Sequence, residues 1–348
     1  MEESTGRAAQ IPDPEVAKAL DAAYTCGSEI PGMMEGTGIG RQYADDYLKT
    51  LTDIIGRPFT GLRVLEIGCG TGYLLQRLQQ EGADVLGIEP GCQSGQEDSG
   101  VRIVRGFFPS VEVKGEFDLI IMHSVLEHLP DPTDFLRTVL RQLTPEGILC
   151  LAVPDESGFL QRGDVSMLFT EHYSYFSPDS LYRTIAKAGG GDIRVKCSTF
   201  SALLYASCTR AAAGDDEIRS PGMEADLRLV TEYRRKVNEF TEKFQYYLEA
   251  VRTGGLELGI YAAGRAVNAL VMSGVSMARL RFFDDAEMMH GTYFPSISVA
   301  VEDREDFIKN PPDEVLIMSV SFGARIEAAL RPLVPARVRF QQLEELCK

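Results

Sequence analysis

Two groups of residues in this chain have the types and spacing to do chemistry. The first is Val64-Leu65-Glu66-Ile67-Gly68-Cys69-Gly70-Thr71-Gly72, with Glu89-Pro90 further on. An apolar strand runs straight into a glycine-rich turn and then a helix. Glycines there let the backbone take positive φ and come close to a ligand. Gly68, Gly70 and Gly72 are spaced two apart, so the turn is not GxGxxG. Glu66, inside the strand, is wrong for a pyrophosphate at a helix N-terminus and right for a cationic or amine-bearing ligand. Glu89 ends the next apolar run, near the spacing of an acid that accepts both hydroxyls of a ribose. The second group is Glu171-His172-Tyr173-Ser174-Tyr175, an acid, an imidazole and two phenols. Histidine is the side chain best suited to move a proton near neutral pH, and Glu171 would orient or charge it.

These groups need elements to hold them. Short apolar runs at Val64–Ile67, Val85–Ile88, Val101–Val104, Phe117–Met122 and Ile148–Val153 alternate with helical segments at Tyr73–Gln80 and Asp134–Leu143. Such alternation implies a parallel sheet with helices on both faces. A short helix is expected between Gly91 and Gly100. The Glu171–Tyr175 group then sits on the loop after the fifth strand, where open α/β sheets bind ligands. Ser177 is placed to cap a helix over Asp179–Ala188. Ile193–Phe200 and Ala202–Cys208 read as an antiparallel edge hairpin. Upstream, Tyr43, Tyr47, Leu48, Leu51 and Ile55 recur at helical spacing.

Beyond the hairpin, Ala211–Gly222 has linker chemistry. Val230, Tyr233, Val237, Phe240, Phe244, Tyr247 and Val251 then form a heptad-like seam. The seam reads first as a buried face of the same chain, and second as a homodimer contact through residues 223–253. A second alternating block follows, with strands at Leu256–Ala262, Leu280–Asp284, Val315–Val320 and Val338–Leu343. Its helices fall at Arg265–Met272 and Ala324–Leu330. It carries no complete phosphate fingerprint. The organisation expected is a helical segment 1–60, a cofactor domain 61–210, a linker and long helix 211–255, and a smaller α/β domain 256–348 for substrate binding or oligomerisation.

The chain has 348 residues, a length that suits two compact domains. Its net charge of −16 makes nucleic acid and anionic lipid poor partners. No apolar run is long enough to span a bilayer, and the polar N-terminus is not a secretory signal, so the cytoplasm is expected. The seven cysteines include no CxxC pair and there are four histidines, so no metal is expected.

Glu66-Ile67-Gly68-Cys69-Gly70-Thr71-Gly72, Glu89, Phe117-Asp118-Leu119-Ile120 and Val125-Leu126-Glu127-His128-Leu129-Pro130-Asp131-Pro132 together resemble the class I S-adenosylmethionine-dependent methyltransferases. The resemblance implies a Rossmann-like, seven-stranded α/β sheet whose glycine turn faces the methionine part of S-adenosyl-L-methionine. It implies that Glu89 and Pro90 lie at the ribose, Phe107 beside the adenine, and His123 and Ser124 at the methionyl group. His128 matches a strand-to-helix position where the histidine is usually structural. With Glu171-His172-Tyr173 and the C-terminal block, the chain resembles the C-methyltransferases of nucleotide-linked deoxysugars. In that family the Glu-His pair and nearby tyrosines line the substrate pocket, and the histidine is the favoured base. This places His172, Glu171 and Tyr175 in catalysis, and Tyr173 and Tyr43 at the substrate. That family usually begins with a zinc module, whose paired cysteines are absent here, and often bears a lysine where His290 stands. Methyl transfer to oxygen or nitrogen of another small metabolite, and a non-catalytic cofactor-binding subunit, are the alternatives.

Overall fold

The computed structural model describes residues 5–11, 13–26, 34, 36, 38–91, 100–165, 168–212, 223–264, 267–276, 279–294, 297–319 and 322–346. It divides into two compact units. One is Met1–Glu156 with Thr170–Leu227; the other is Ser157–Phe169 with Arg228–Lys348.

The first unit opens with β1 (Ala8–Ala9), α1 (Pro14–Cys26) and α2 (Gly38–Ile55). The alternating core follows as β2 (Arg63–Ile67), α3 (Tyr73–Gln80), β3 (Asp84–Glu89), β4 (Arg102–Arg105), β5 (Phe117–His123), α4 (Pro132–Leu140) and β6 (Leu143–Pro154). After an excursion into the second unit come β7 (Ser174–Tyr175), α6 (Pro178–Lys187), β8 (Gly190–Cys197) and β9 (Leu203–Arg210). The seven-stranded sheet has the order β4-β3-β2-β5-β6-β9-β8. Its first five strands are parallel; β9 runs antiparallel beside β6, and β8, antiparallel to β9, takes the direction of the first five again.

Strand alternation explains why both faces are covered. Leu65, Ile67, Ile120, Met122, Leu149 and Leu151 face α4 and α6, while Val64, Val85, Leu119, Ile121 and Cys150 face α2 and α3. In α2 the buried stripe is Ala44, Tyr47, Leu48 and Leu51. Helix α4 starts two residues before its expected position, because Asp131 accepts from the Asp134 amide and Pro132 takes the first turn. Helix α6 is closed by the Ser177–Ser180 capping box. Strand β6 is longer than its apolar run, and β8 begins before its expected start. The helix expected between Gly91 and Gly100 lies outside the described residues.

The second unit contains α5 (Ser157–Arg162) and α7 (Met223–Thr253, from Arg228 on). They are joined by β10 (Leu258–Tyr261), α8 (Val267–Ser273), β11 (Leu280–Phe283), β12 (Val301–Glu302), α9 (Arg304–Lys309), β13 (Glu314–Ile317), α10 (Gly323–Leu330), β14 (Arg339–Gln342) and α11 (Leu343–Leu346). Its sheet has the order β12-β11-β10-β13-β14, parallel throughout. The seam on α7 is spent inside this unit. Phe240, Phe244, Leu248 and Val251 belong to its core with Leu258, Ile260 and Leu316. The buried-face reading of the seam therefore accounts for Phe240, Phe244 and Val251.

Candidate active site

Strand β2 delivers Glu66 and ends in the glycine turn. Gly68, Gly70 and Gly72 have φ of +75°, +53° and +78°, in the left-handed region that favours glycine. At Gly68 space makes the same demand, since a Cβ would lie 2.6 Å from Val125 Cγ2. The Gly68 amide donates to the Ile88 carbonyl at 2.8 Å, which ties the turn to the end of β3. Glu89 stands there with Oε2 accepting from the Gly70 amide and Oε1 from the Gly91 amide, both at 2.9 Å. Pro90 bridges that acid and Gly91.

Glu66 is only 1% exposed, and its Oε2 has no hydrogen-bond partner. Burial and the neighbouring Glu89 push its carboxyl well above the usual carboxylate range. An unmet buried acceptor, a close backbone turn and a strand-end acid fit S-adenosylmethionine, whose ammonium and ribose hydroxyls are donors. Cys69 is buried in the turn, and burial raises its thiol pKa. The Gly106 amide donates to the Glu89 carbonyl at 3.0 Å, so half-exposed Phe107 follows at the same end of the sheet. His123 ends β5. Burial lowers its pKa to about 4. Its Nδ1 lies 3.2 Å from Ser124 Oγ, and its ring meets Tyr47 edge-on at 5.1 Å. Ser124 has φ of +54°, a strained non-glycine conformation at a strand end.

The second group gathers around His172, which is 3% exposed. Its ring meets His128 edge-on at 4.8 Å and lies 6.3 Å from Tyr175 at a tilt. His128 Nδ1 is 3.0 Å from the Glu171 carbonyl and 3.2 Å from the Tyr24 hydroxyl. A carbonyl only accepts, so Nδ1 carries the proton, and Nε2 faces Glu127 Oε1 at 3.9 Å. The Glu127 carboxylate is buried. One atom from each of Glu127, His128 and His172 lies within 4.8 Å of the others. Burial raises the Tyr24 hydroxyl pKa well above its usual value, and Glu171, Glu127, Tyr173 and Glu89 add to the effect. Tyr24 touches both groups, with its hydroxyl at His128 and its carbonyl 3.5 Å from where a Cβ on Gly91 would stand. Tyr173 is buried with no partner for its hydroxyl, while its amide donates to the Glu127 carbonyl at 2.8 Å.

His172, Tyr173, Tyr175 and Glu171 thus come together, with Glu171 meeting His128 through its backbone. Tyr43 meets Phe200 edge-on at 5.2 Å. Its neighbourhood is that of Tyr205, whose hydroxyl donates to Asp46 at 2.6 Å. The sequence reads His128 as structural, and its Nδ1 contacts with the Glu171 carbonyl and the Tyr24 hydroxyl fit that reading, while its ring also borders His172. Tyr24 and Glu127 were missed. Glu127 had a signal, an acid between Leu126 and His128. Tyr24 had none, since only the tertiary fold brings α1 to His128.

The methyltransferase-domain family model matches residues 39–190, and that of the C-methyltransferase C-terminal domain matches residues 189–341. The chain belongs to the S-adenosylmethionine-dependent methyltransferases, in the group that carries this C-terminal domain. It is similar to the C-methyltransferase NovU of Streptomyces niveus, 25% identical over 288 residues covering 76% of this chain and 67% of that one. It is also similar to a ubiquinone biosynthesis O-methyltransferase of Azorhizobium caulinodans, 36% identical over 105 residues, covering 28% of this chain and 42% of the relative's length. A relative of the same name from Ruegeria pomeroyi is 31% identical over 170 residues, 43% of this chain and 68% of that one. Among the described residues no helix is long and apolar enough to cross a membrane.

Proposed function

We propose that this chain methylates a carbon atom of a small carbonyl-bearing molecule, of the class of nucleotide-linked deoxysugars. The observation that carries this reading is the buried His172 ring, 4.8 Å from His128, on the loop beyond β6. The match to a C-methyltransferase C-terminal domain and to NovU supports the carbon acceptor. The similarity to O-methyltransferases from Azorhizobium and Ruegeria covers less than half of this chain.

The bound cofactor supplies a methyl carbon on a sulfonium, already an excellent leaving group. The protein's work is therefore alignment and proton movement. Glu66 receives the ammonium, and the Gly68–Gly72 turn lets backbone close on the methionine part. Glu89 would accept from the ribose hydroxyls. Cys69, Pro90, Phe107, His123 and Ser124 line the same end of the sheet. His172 takes a proton from the carbon next to the acceptor's carbonyl. With the cofactor held by Glu66, the Gly68–Gly72 turn and Glu89, that carbon would accept the methyl group, and S-adenosylhomocysteine would be the leaving group. His172 releases its proton to solvent. His128, with its Nδ1 proton fixed on the Glu171 carbonyl, holds the imidazole pair in register. Tyr173 and Tyr175 shape the acceptor side. We assign the second unit to substrate binding or oligomerisation, and place the reaction in the cytoplasm.

The test needs no turnover. A nucleotide-linked 4-keto sugar is incubated in heavy water with the protein and S-adenosylhomocysteine. Deuterium entering beside the carbonyl, and lost in His172→Gln, is the expected result. No exchange, together with label transfer from S-adenosylmethionine to a phenol or other hydroxyl, would move the acceptor to oxygen.

A further inference from the structure

The N-terminal segment is built into the first unit with groups that the cofactor site does not need. Thr5 is fully buried and Arg7 is 5% exposed. Strand β1 pairs antiparallel with β7, with Ala8 opposite Tyr175 and Ala9 opposite Ser174. The pairing continues as the Gln10 amide donates to the Tyr173 carbonyl at 3.1 Å. The Arg7 guanidinium donates to the Ser174 hydroxyl, which is 3.4 Å from the Leu129 carbonyl. From the other side Arg183 of α6, 1% exposed, donates through Nε to the Thr5 carbonyl at 2.7 Å. Burying a guanidinium is costly unless its donors are met. Two such groups are committed here to holding a strand of two residues.

What that strand holds is the loop of His172. The Tyr173 amide donates to Glu127 at 2.8 Å while its carbonyl accepts from Gln10. The backbone beside His172 is thus pinned by the sheet unit on one side and by β1 on the other. Downstream, Asp13 caps α1, with Oδ1 accepting from the Glu15 amide at 2.8 Å and the Val16 amide at 3.2 Å. That helix carries Tyr24 to 3.2 Å from His128.

We propose that Thr5–Gln10 is a positioning arm of the active site, in which Arg7 and Arg183 lock β1 against β7 and so fix the Glu171–Tyr175 loop where the His172 and His128 rings meet. Arg7 and Arg183 are positioning residues and touch no reacting atom. The inference rests on the reading of that loop as the substrate side. Cofactor binding depends on β2 and β3, so loosening the arm leaves it intact. A base displaced by about an ångström loses on the order of 10²-fold in rate.

The full chain is compared with two variants of different character. Gln10→Pro removes one amide that the arm donates and leaves no charge buried. Arg183→Lys keeps the charge and loses the guanidinium fork. Amide hydrogen exchange is read at Tyr173, whose N–H donates to Glu127 and not to the arm. Both variants should exchange there about tenfold faster or more, with residues 64–72 unchanged. S-adenosylmethionine affinity by calorimetry should stay within about twofold, and kcat should fall about 10²-fold on an acceptor found by labelled methyl transfer. His172→Gln run in parallel separates the two readings. If it leaves turnover intact, the base assignment falls, and the Tyr173 amide still decides about the arm. Fast exchange of residues 5–10 with an unchanged Tyr173 amide overturns the proposal, because the arm would then have let go without loosening the loop.

Discussion

The two sheets of this chain start alike and part at one turn. In both, the first five strands run in the order third, second, first, fourth, fifth. In both, the amide after the first strand donates to the last residue or so of the second: Gly68 to Ile88 at 2.8 Å, Ala262 to Phe283 at 2.9 Å. Glu89 ends the one second strand and Asp284 directly follows the other, and each accepts the amide two residues on. Glu89 takes the Gly91 amide and Asp284 the Ala286 amide, each at 2.9 Å. The contents of the turns differ. Counted from those shared bonds, Glu66 corresponds to Ile260, which offers no acceptor, and Gly68 to Ala262. Asp285, next to Asp284, is held by Arg304 and by the Tyr261 hydroxyl at 2.5 Å. One strand order thus recurs, and the side chains at the first turn, not those at the second, suit a cationic amino-acid nucleoside.

The strongest way to break this contrast is at the proton. His172→Gln should lower kcat by about 10²–10⁴ while S-adenosylmethionine affinity holds. The lower limb of the pH–rate profile should go with it. Melting temperature, cofactor binding and turnover measured on one preparation keep folding and chemistry apart. A well-folded variant with near-normal turnover would pass the role to Tyr173, Tyr175, Glu171 or His128.

Next in size is a stability effect at the end of β5. His123 titrates at about 4 in the folded chain against an ordinary value of 6.5. Between those values the unfolded chain binds a proton that the folded chain refuses, so stability rises with pH across that window. By its lower end the loss approaches about 3 kcal/mol. Urea midpoints followed from neutral pH to about 4.5 should show this slope, and His123→Asn should flatten it. An unchanged slope would mean that another group carries the acid sensitivity.

Glu89→Ala and Asp284→Ala sharpen the comparison directly. Losing the acceptor of two ribose hydroxyls should cost about 1.5–3 kcal/mol of cofactor affinity by calorimetry. Asp284→Ala should leave that affinity unchanged. Equal losses at both positions would put a second cofactor site on the second sheet and erase the distinction.

How much of this was legible beforehand depended on the length of each signal. The turn at Gly68–Gly72 declared itself because an apolar strand, spaced glycines and an in-strand acid lie within nine consecutive residues. Most strands of both sheets were visible as apolar runs, since buried parallel strands read as near-continuous hydrophobics. Strands β1, β7 and β12 were not visible, because two residues carry no periodicity. The Glu171–Tyr175 loop could be picked out by composition, but its partners could not. Tyr24 stands over a hundred positions before His128, and Arg183 far after Thr5. Contacts of that range are set by the packing of helices on the sheet, which no local pattern encodes.

The smallest expected effect is none, and it concerns metal. Atoms of Glu127, His128 and His172 lie within 4.8 Å of one another, and two imidazoles with a carboxylate are a competent ligand set for a divalent ion. The His128 proton on Nδ1, facing the Glu171 carbonyl, even leaves Nε2 in the form a metal would need. A ligated His172, however, has no lone pair with which to take a proton, so the base proposed here and a bound cation exclude each other. Turnover should therefore survive exhaustive dialysis against EDTA, and added zinc should inhibit by occupying the three atoms. Metal content by mass spectrometry is measured on the same samples. Activity lost on chelation and restored by zinc or magnesium would replace the His172 step with polarisation of the acceptor carbonyl by the ion. The contrast between the two sheets would survive that result, but its chemistry would change from proton transfer to Lewis acid.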